Sequence, residues 1–146
     1  MHKLLGEQFI KEVFANKEKQ YTILRTSWLY GAHNNKSFIH KFINNLVKTI
    51  KDGKTEIEVT ENEVSIPTST VCVVDYIVNV MRYNMHGIKH AVPDNFAIDK
   101  ISRYEFAKCI MHHFKSNNYI DISNISLKPV KRETYLPTNT EMIPSI

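Results

Sequence analysis

Tyr21-Thr22-Ile23-Leu24 runs directly into Arg25-Thr26-Ser27-Trp28-Leu29-Tyr30-Gly31, and the change of character at Arg25 organises the reading of the chain. The first four residues are β-prone and short, as a strand is. The next seven mix hydroxyls, a large aromatic and a glycine, as a loop does. A strand that empties into such a loop is the working unit of α/β folds, where ligands collect at the strand ends. Upstream, Leu4, Leu5, Phe9, Ile10, Val13 and Phe14 recur at three- and four-residue steps, with Lys3, Glu7, Lys11 and Glu12 on the other side. That periodicity predicts an amphipathic helix over residues 3–14, its Glu7 to Lys11 pair in the favourable order. Asn16 and Lys17-Glu18-Lys19 give it a polar exit. Downstream, Asn34, Asn35 and Ser37 open a second helix whose Phe38, Phe42 and Leu46 form one row. Ile39, Ile43, Val47 and Ile50 form the adjacent row, and Asp52-Gly53 closes it.

The pattern then repeats. Residues 55–60 alternate as Thr-Glu-Ile-Glu-Val-Thr, so Ile57 and Val59 share one face of a half-exposed strand. Pro67 breaks the backbone ladder, and a third helix runs from Ser69 or Thr70 to about Tyr83, with Val71, Val74, Ile77, Val78 and Met81 along it. Residues 87–92 read as a brief strand. Ser102-Arg103-Tyr104-Glu105 is the clearest helix start, because a Ser hydroxyl and a Glu three residues on can each satisfy the other's free backbone amide. Phe106, Ile110 and Phe114 mark the buried side of that fourth helix. Residues 126–131 predict a last strand, and Pro137 and Pro144 an extended tail. Four helices and four strands indicate an α/β fold with too few strands for a closed sheet. Such a sheet leaves an edge and an apolar face that need a partner: the rest of a longer polypeptide, or another subunit, a homo-oligomer included.

Composition narrows the function. A chain of 146 residues, 42% hydrophobic and 23% charged, fits one domain or half of a larger one. Its net charge of +4 is scattered rather than gathered into a stripe, which argues against nucleic acid as a partner. No stretch reaches the roughly 18 apolar residues that span a bilayer, and Glu7 interrupts any signal-peptide core, so a cytoplasmic protein is expected. Cys72 and Cys109 have no C-x-x-C pattern and are expected to be buried reduced thiols. The four glycines, at 6, 31, 53 and 87, permit neither G-x-G-x-x-G nor a P-loop, and G-x-S-x-G is absent. His86 and His90 have the i, i+4 interval of a helical metal pair, but Gly87 lies between them and no acidic partner follows, so no metal site is expected. His112-His113, adjacent and so pointing apart, suits the carbonyl end of a helix. Two residues stand out from this background. Trp28 is the only tryptophan and sits where the strand ends; a core tryptophan and a ligand platform both satisfy that position. Lys3, by itself, reads as a solvated lysine.

Taken together, Lys3-Leu4-Leu5-Gly6-Glu7, Ile23 to Gly31, Ile66-Pro67-Thr68, Gly87-Ile88-Lys89-His90 and Ser102-Arg103-Tyr104-Glu105-Phe106-Ala107 resemble, in order and interval, the dTDP-4-dehydrorhamnose reductases. These are extended short-chain dehydrogenase/reductases with an NAD(P)-binding Rossmann-like fold. Leu24 to Gly31 is the most specific piece, and the last segment is similar to the family's S-W-Y-[ED]-F-A. The resemblance implies that residues 1–146 form a single partial domain, the C-terminal, substrate-binding half of that fold without its N-terminal nucleotide-binding half. It also implies NADPH as cofactor, a nucleotide-sugar substrate, and reduction of the C4 carbonyl of dTDP-4-dehydro-L-rhamnose to give dTDP-L-rhamnose. In the family's Tyr-x-x-x-Lys pair, Lys3 takes the lysine's place as catalytic and ribose-holding residue, and the tyrosine falls two positions before Met1. Thr26 and Ser27 would line the nicotinamide side, and Trp28 would cover the deoxysugar.

Several positions depart from the family. Asn62-Glu63-Val64-Ser65-Ile66-Pro67-Thr68 stands where the family has Asp-Gln-x-Gly-x-Pro-Thr, and Cys72 stands where an aspartate would complete a reciprocal cap. The C-terminal Arg-Pro-x-Asn-Ser pattern is reduced to Ile143-Pro144-Ser145. Three functions are therefore expected to compete: half of a deoxysugar-nucleotide reductase, a non-catalytic binding or regulatory module like the methionine adenosyltransferase regulatory β subunit, and a relic fragment.

Overall fold

Three of the four helices start on a serine whose hydroxyl takes the place of a missing carbonyl. Ser37 accepts from the His40 amide, Ser69 from Cys72 and Ser102 from Glu105. At Ser102 the box is complete, since the Glu105 carboxylate accepts from the Ser102 amide at 2.7 Å. At Ser69 the cap is one-sided, as the cysteine at position 72 predicts. In the computed structural model, residues 2–15, 21–32, 35–93 and 100–133 are described. They form α1 (His2–Val13), β1 (Thr22–Arg25), β2 (Leu29–Tyr30), α2 (Phe38–Lys51), β3 (Glu56–Thr60) and β4 (Val64–Ser65). There follow β5 (Thr68–Ser69), α3 (Thr70–Arg82), β6 (Gly87–His90), β7 (Ile101–Ser102), α4 (Arg103–Ser116) and β8 (Ser126–Val130). The polar exit at Asn16 to Lys19, the helix-opening Asn34 and the tail around Pro137 and Pro144 lie outside the described residues.

The four helices and four longer strands fall where the periodicity places them. Four two-residue strands, β2, β4, β5 and β7, are additional; two residues are too few for any alternation to register in a sequence. The strands pair in twos. β1 runs parallel to β6 with Ile23 opposite Ile88, and β3 parallel to β8 with Ile57 opposite Leu127. β2 runs parallel to β5, and β4 antiparallel to β7.

The core lies where α2 and α4 cover the β3–β8 pair. Phe42, Leu46, Ile57, Val59, Ala107, Ile110, Met111 and Ile122 are buried together. Ile57 and Val59 share the inner face of β3, whose Glu56 and Glu58 reach outward to Lys128. The buried seam of α4 is Ala107, Ile110 and Met111, rotated from the expected Phe106, Ile110 and Phe114. The two phenylalanines flank it half-buried, because each ring engages another aromatic: Phe106 lies 5.7 Å from Phe38, and Phe114 5.9 Å from Tyr119. By contrast, α1 buries no residue, leaving Phe9 67% exposed, and on α3 Met81 is 70% exposed. The apolar face that the sequence leaves without a partner is thus carried by these two helices.

Candidate functional site

β1 ends at Arg25, and its guanidinium decides where α1 sits. Arg25 donates to Glu7 from Nε at 3.0 Å and from Nη2 at 2.7 Å, a two-pronged pair that holds the helix against the strand end. The hydrogen bond from Arg25 keeps the Glu7 carboxyl below its ordinary value, and Glu7 raises Arg25 in return. Lys3 lies one turn earlier on α1, on the same face as Glu7 and roughly 6 Å along the axis. Its side chain is exposed. Thr26, the first residue past β1, is exposed, and the Ser27 hydroxyl hydrogen-bonds that of Ser65.

Trp28 adopts φ +37°, in the left-handed region that bulky side chains avoid. Its carbonyl accepts from the Thr68 amide at 3.3 Å, which pins the loop while the indole turns into a cavity of about 240 Å³. Phe38, Phe106, Lys36, Lys41 and Arg103 line the same cavity. The Arg103 guanidinium carbon stands over both rings, 4.7 Å from the centroid of Trp28 and 5.1 Å from that of Phe38, within reach of a cation–π contact with each. Gly31, three residues on, passes so close to α3 that a Cβ there would overlap the Thr70 hydroxyl.

Residues 62–69 tie this loop to α4. Glu63 accepts from Arg103 Nε with one carboxylate oxygen and from Arg132 Nη1, at 2.8 Å, with the other. Its backbone carbonyl also accepts from the Arg103 amide at 3.1 Å. Hydrogen bonds from Arg132 and then Arg103 hold the Glu63 carboxyl below its ordinary value. Asn62 completes the clamp by pairing its side-chain amide with the backbone of Arg132. Two of the residues that depart from the reductase pattern are therefore in use: Asn62 holds Arg132, and Glu63 holds both Arg103 and Arg132.

The structure thus gathers Thr26, Ser27 and Trp28 at one strand end and fixes the helix of Lys3 to that end through Glu7. Lys36, Phe38, Lys41 and Arg103 are additions that sequence reading missed. One signal was available, the arginine in place of tryptophan within Ser102-Arg103-Tyr104. The expected buried thiols are not found: Cys72 is half-buried and Cys109 exposed, because the seam of α4 passes through its neighbours Ile110 and Met111. His86 and His90 do not share a helical face, since β6 is extended there. Among the described residues no three His, Cys, Asp or Glu side chains cluster to hold a metal ion, and no helix is long and apolar enough to cross a membrane.

Comparison with known proteins gives a consistent result. A family model described as the RmlD substrate binding domain matches residues 1–143. The spore coat polysaccharide biosynthesis protein SpsK of Bacillus subtilis is 29% identical over 109 residues, 75% of this chain and 33% of that protein. A dTDP-4-dehydrorhamnose reductase structure from Clostridium acetobutylicum superposes with a TM-score of 0.67 at 27% identity, covering 92% of this chain and 40% of that one. That from Bacillus anthracis, in complex with NADP, gives 0.63 at 29% identity, covering 88% and 38%. The chain spans a third of the curated relative and about two fifths of these structures. The helices and parallel strand pairs match the substrate-binding half of the reductases.

Proposed function

The chain belongs to the RmlD substrate binding domain family, and on that premise we propose that it is the single-domain substrate half of a deoxysugar-nucleotide reductase. The reaction is NADPH-dependent reduction of dTDP-4-dehydro-L-rhamnose to dTDP-L-rhamnose. An upstream or separately encoded nucleotide-binding half completes the enzyme. The observation that carries this reading is the Arg25–Glu7 bridge, which fixes the helix of Lys3 to the strand end that bears Trp28.

Lys3 fits the ribose end of the cofactor, because an exposed ammonium can donate to both ribose hydroxyls. The cofactor's pyrophosphate needs a Gly-rich loop, and none can be written in these 146 residues. NADPH, when bound, supplies the hydride that reaches C4. The same Lys3 ammonium favours the phenolate of a neighbouring tyrosine, and so eases transfer of the phenol proton to the substrate oxygen. Thr26 and Ser27 line the nicotinamide side. Trp28 presents an indole to the apolar side of the deoxysugar.

The test is NADPH oxidation with dTDP-4-dehydrorhamnose, run on this chain alone and together with a Tyr-bearing nucleotide half. Turnover is expected only for the pair. Lys3→Ala should lower kcat by roughly 100-fold or more with little change in folding stability, whereas Trp28→Ala should chiefly raise KM. No turnover from the pair, or full rates in both variants, would overturn the assignment. A second reading, a non-catalytic module on the same scaffold, draws support from Asn62 and Glu63, which are spent on arginines. Tight binding of a protein partner without affinity for any dTDP-sugar would favour it.

A further inference from the structure

The cavity beside Trp28 has a charge that the reading above does not use. Lys36, Lys41 and Arg103 line it, and no carboxylate does among the described lining residues. Arg103 is the best placed of the three. A guanidinium held over aromatic rings still offers its N–H edges to hydrogen bonds in its own plane. Glu63 takes the Nε edge. Neither Nη1 nor Nη2 of Arg103 hydrogen-bonds a described residue, so the outer edge keeps donors for a second anion. The fork geometry suits paired oxygens on phosphorus.

We propose that Arg103, held over Trp28 and Phe38 and aimed by Glu63, is a specificity-determining residue that, with Lys41, binds the diphosphate of a nucleoside diphosphate ligand. The inference rests on the proposed function above and names the part of the substrate that this cavity takes. A volume of about 240 Å³ is below the usual range for a whole cofactor-sized ligand, roughly 300–1,000 Å³, and suits a diphosphate with part of what it carries. Arginine here, where the resemblance has tryptophan, and glutamate at 63, where it has glutamine, form one charge pair across 40 residues of sequence. In a sugar-nucleotide site that pair trades aromatic surface for anion recognition.

The single tryptophan makes the test local, because emission of this chain reports on Trp28 alone. Emission is titrated with inorganic pyrophosphate, thymidine diphosphate, thymidine and dTDP-rhamnose, using wild type, R103Q, R103K and K41Q. Pyrophosphate and thymidine diphosphate should shift the wild-type emission and thymidine should not. R103Q should weaken both anions by roughly tenfold or more, and R103K, which keeps the charge but loses the fork, by less. Equal anion affinity in wild type and R103Q, or no wild-type response to either anion, would overturn the proposal. If R103Q loses its fold by circular dichroism, exposed Lys41 decides, and unchanged pyrophosphate affinity in K41Q is then the overturning result. The two readings separate cleanly. Dependence on Arg103 for pyrophosphate, with no gain for dTDP-rhamnose, leaves the anion site standing and removes the deoxysugar assignment. Tight dTDP-rhamnose binding that is indifferent to R103Q does the reverse.

Discussion

Trp28 and Ser102 show what a single residue can and cannot announce. Ser102 could be read from the chain because its partner lies three positions away: the Glu105 amide donates to its hydroxyl at 3.1 Å, and the Glu105 carboxylate accepts in return. The cap holds the first turn of α4 and therefore the backbone of Arg103, the first residue of that helix. Ser102→Ala should lower stability by about 1 kcal/mol in urea denaturation, and should also weaken the Arg103-dependent anion response. A loss of a few tenths with an unchanged response would show that the cap is dispensable. Trp28 was visible as a residue of interest but not in its geometry. Its positive φ, roughly 1–3 kcal/mol of backbone strain, goes with a hydrogen bond to its carbonyl from Thr68, 40 residues on. No local pattern in the sequence encodes a partner at that separation, and the same holds for Glu63 beneath Arg103.

At the scale of elements, legibility followed length. α2 could be placed from its sequence because its two apolar rows recur over four turns, and Phe42 and Leu46 are buried as those rows require. The orientation of α1 could not, since it depends on an ion pair between Glu7 and Arg25 rather than on a buried seam. That dependence makes the docking of α1 sensitive to pH. The Glu7 carboxyl is lowered from 4.5 by the hydrogen bond from Arg25. Its contribution is therefore fully present above that ordinary value and is lost as the pH falls through the lowered one. The Tm advantage of wild type over Glu7→Gln should be steady from neutral pH down to about 4.5 and shrink in more acid solution. A Tm difference that never shrinks as the solution is made more acid would mean that the bridge does not hold the helix. Glu63, lowered by Arg132 and Arg103, gives the same sign, so its variant must be measured separately.

The whole molecule divides its apolar surface unequally, and that asymmetry follows from the incomplete sheet. α2 and α4 close over β3 and β8, whereas α1 and α3 leave Phe9, Val13, Val74 and Met81 more than half exposed. The sequence foretold a face needing a partner because four short strands are few to cover four amphipathic helices. It did not say which helices, since exposure is decided by which strands pair. On the proposed function, the partner for that face is the nucleotide-binding half. Phe9→Glu with Met81→Glu should then change the stability of the isolated chain by about 0.5 kcal/mol or less, because neither side chain is buried in it. The same double variant should reduce binding of a dye specific for apolar surface, and should fail to restore turnover when paired with the nucleotide half. Ile110→Glu, in the core, should instead unfold the chain by leaving a charge without a partner. If Phe9→Glu with Met81→Glu unfolds the chain as Ile110→Glu does, these helices are covered within the chain itself. If it folds and still pairs productively, the nucleotide half docks elsewhere.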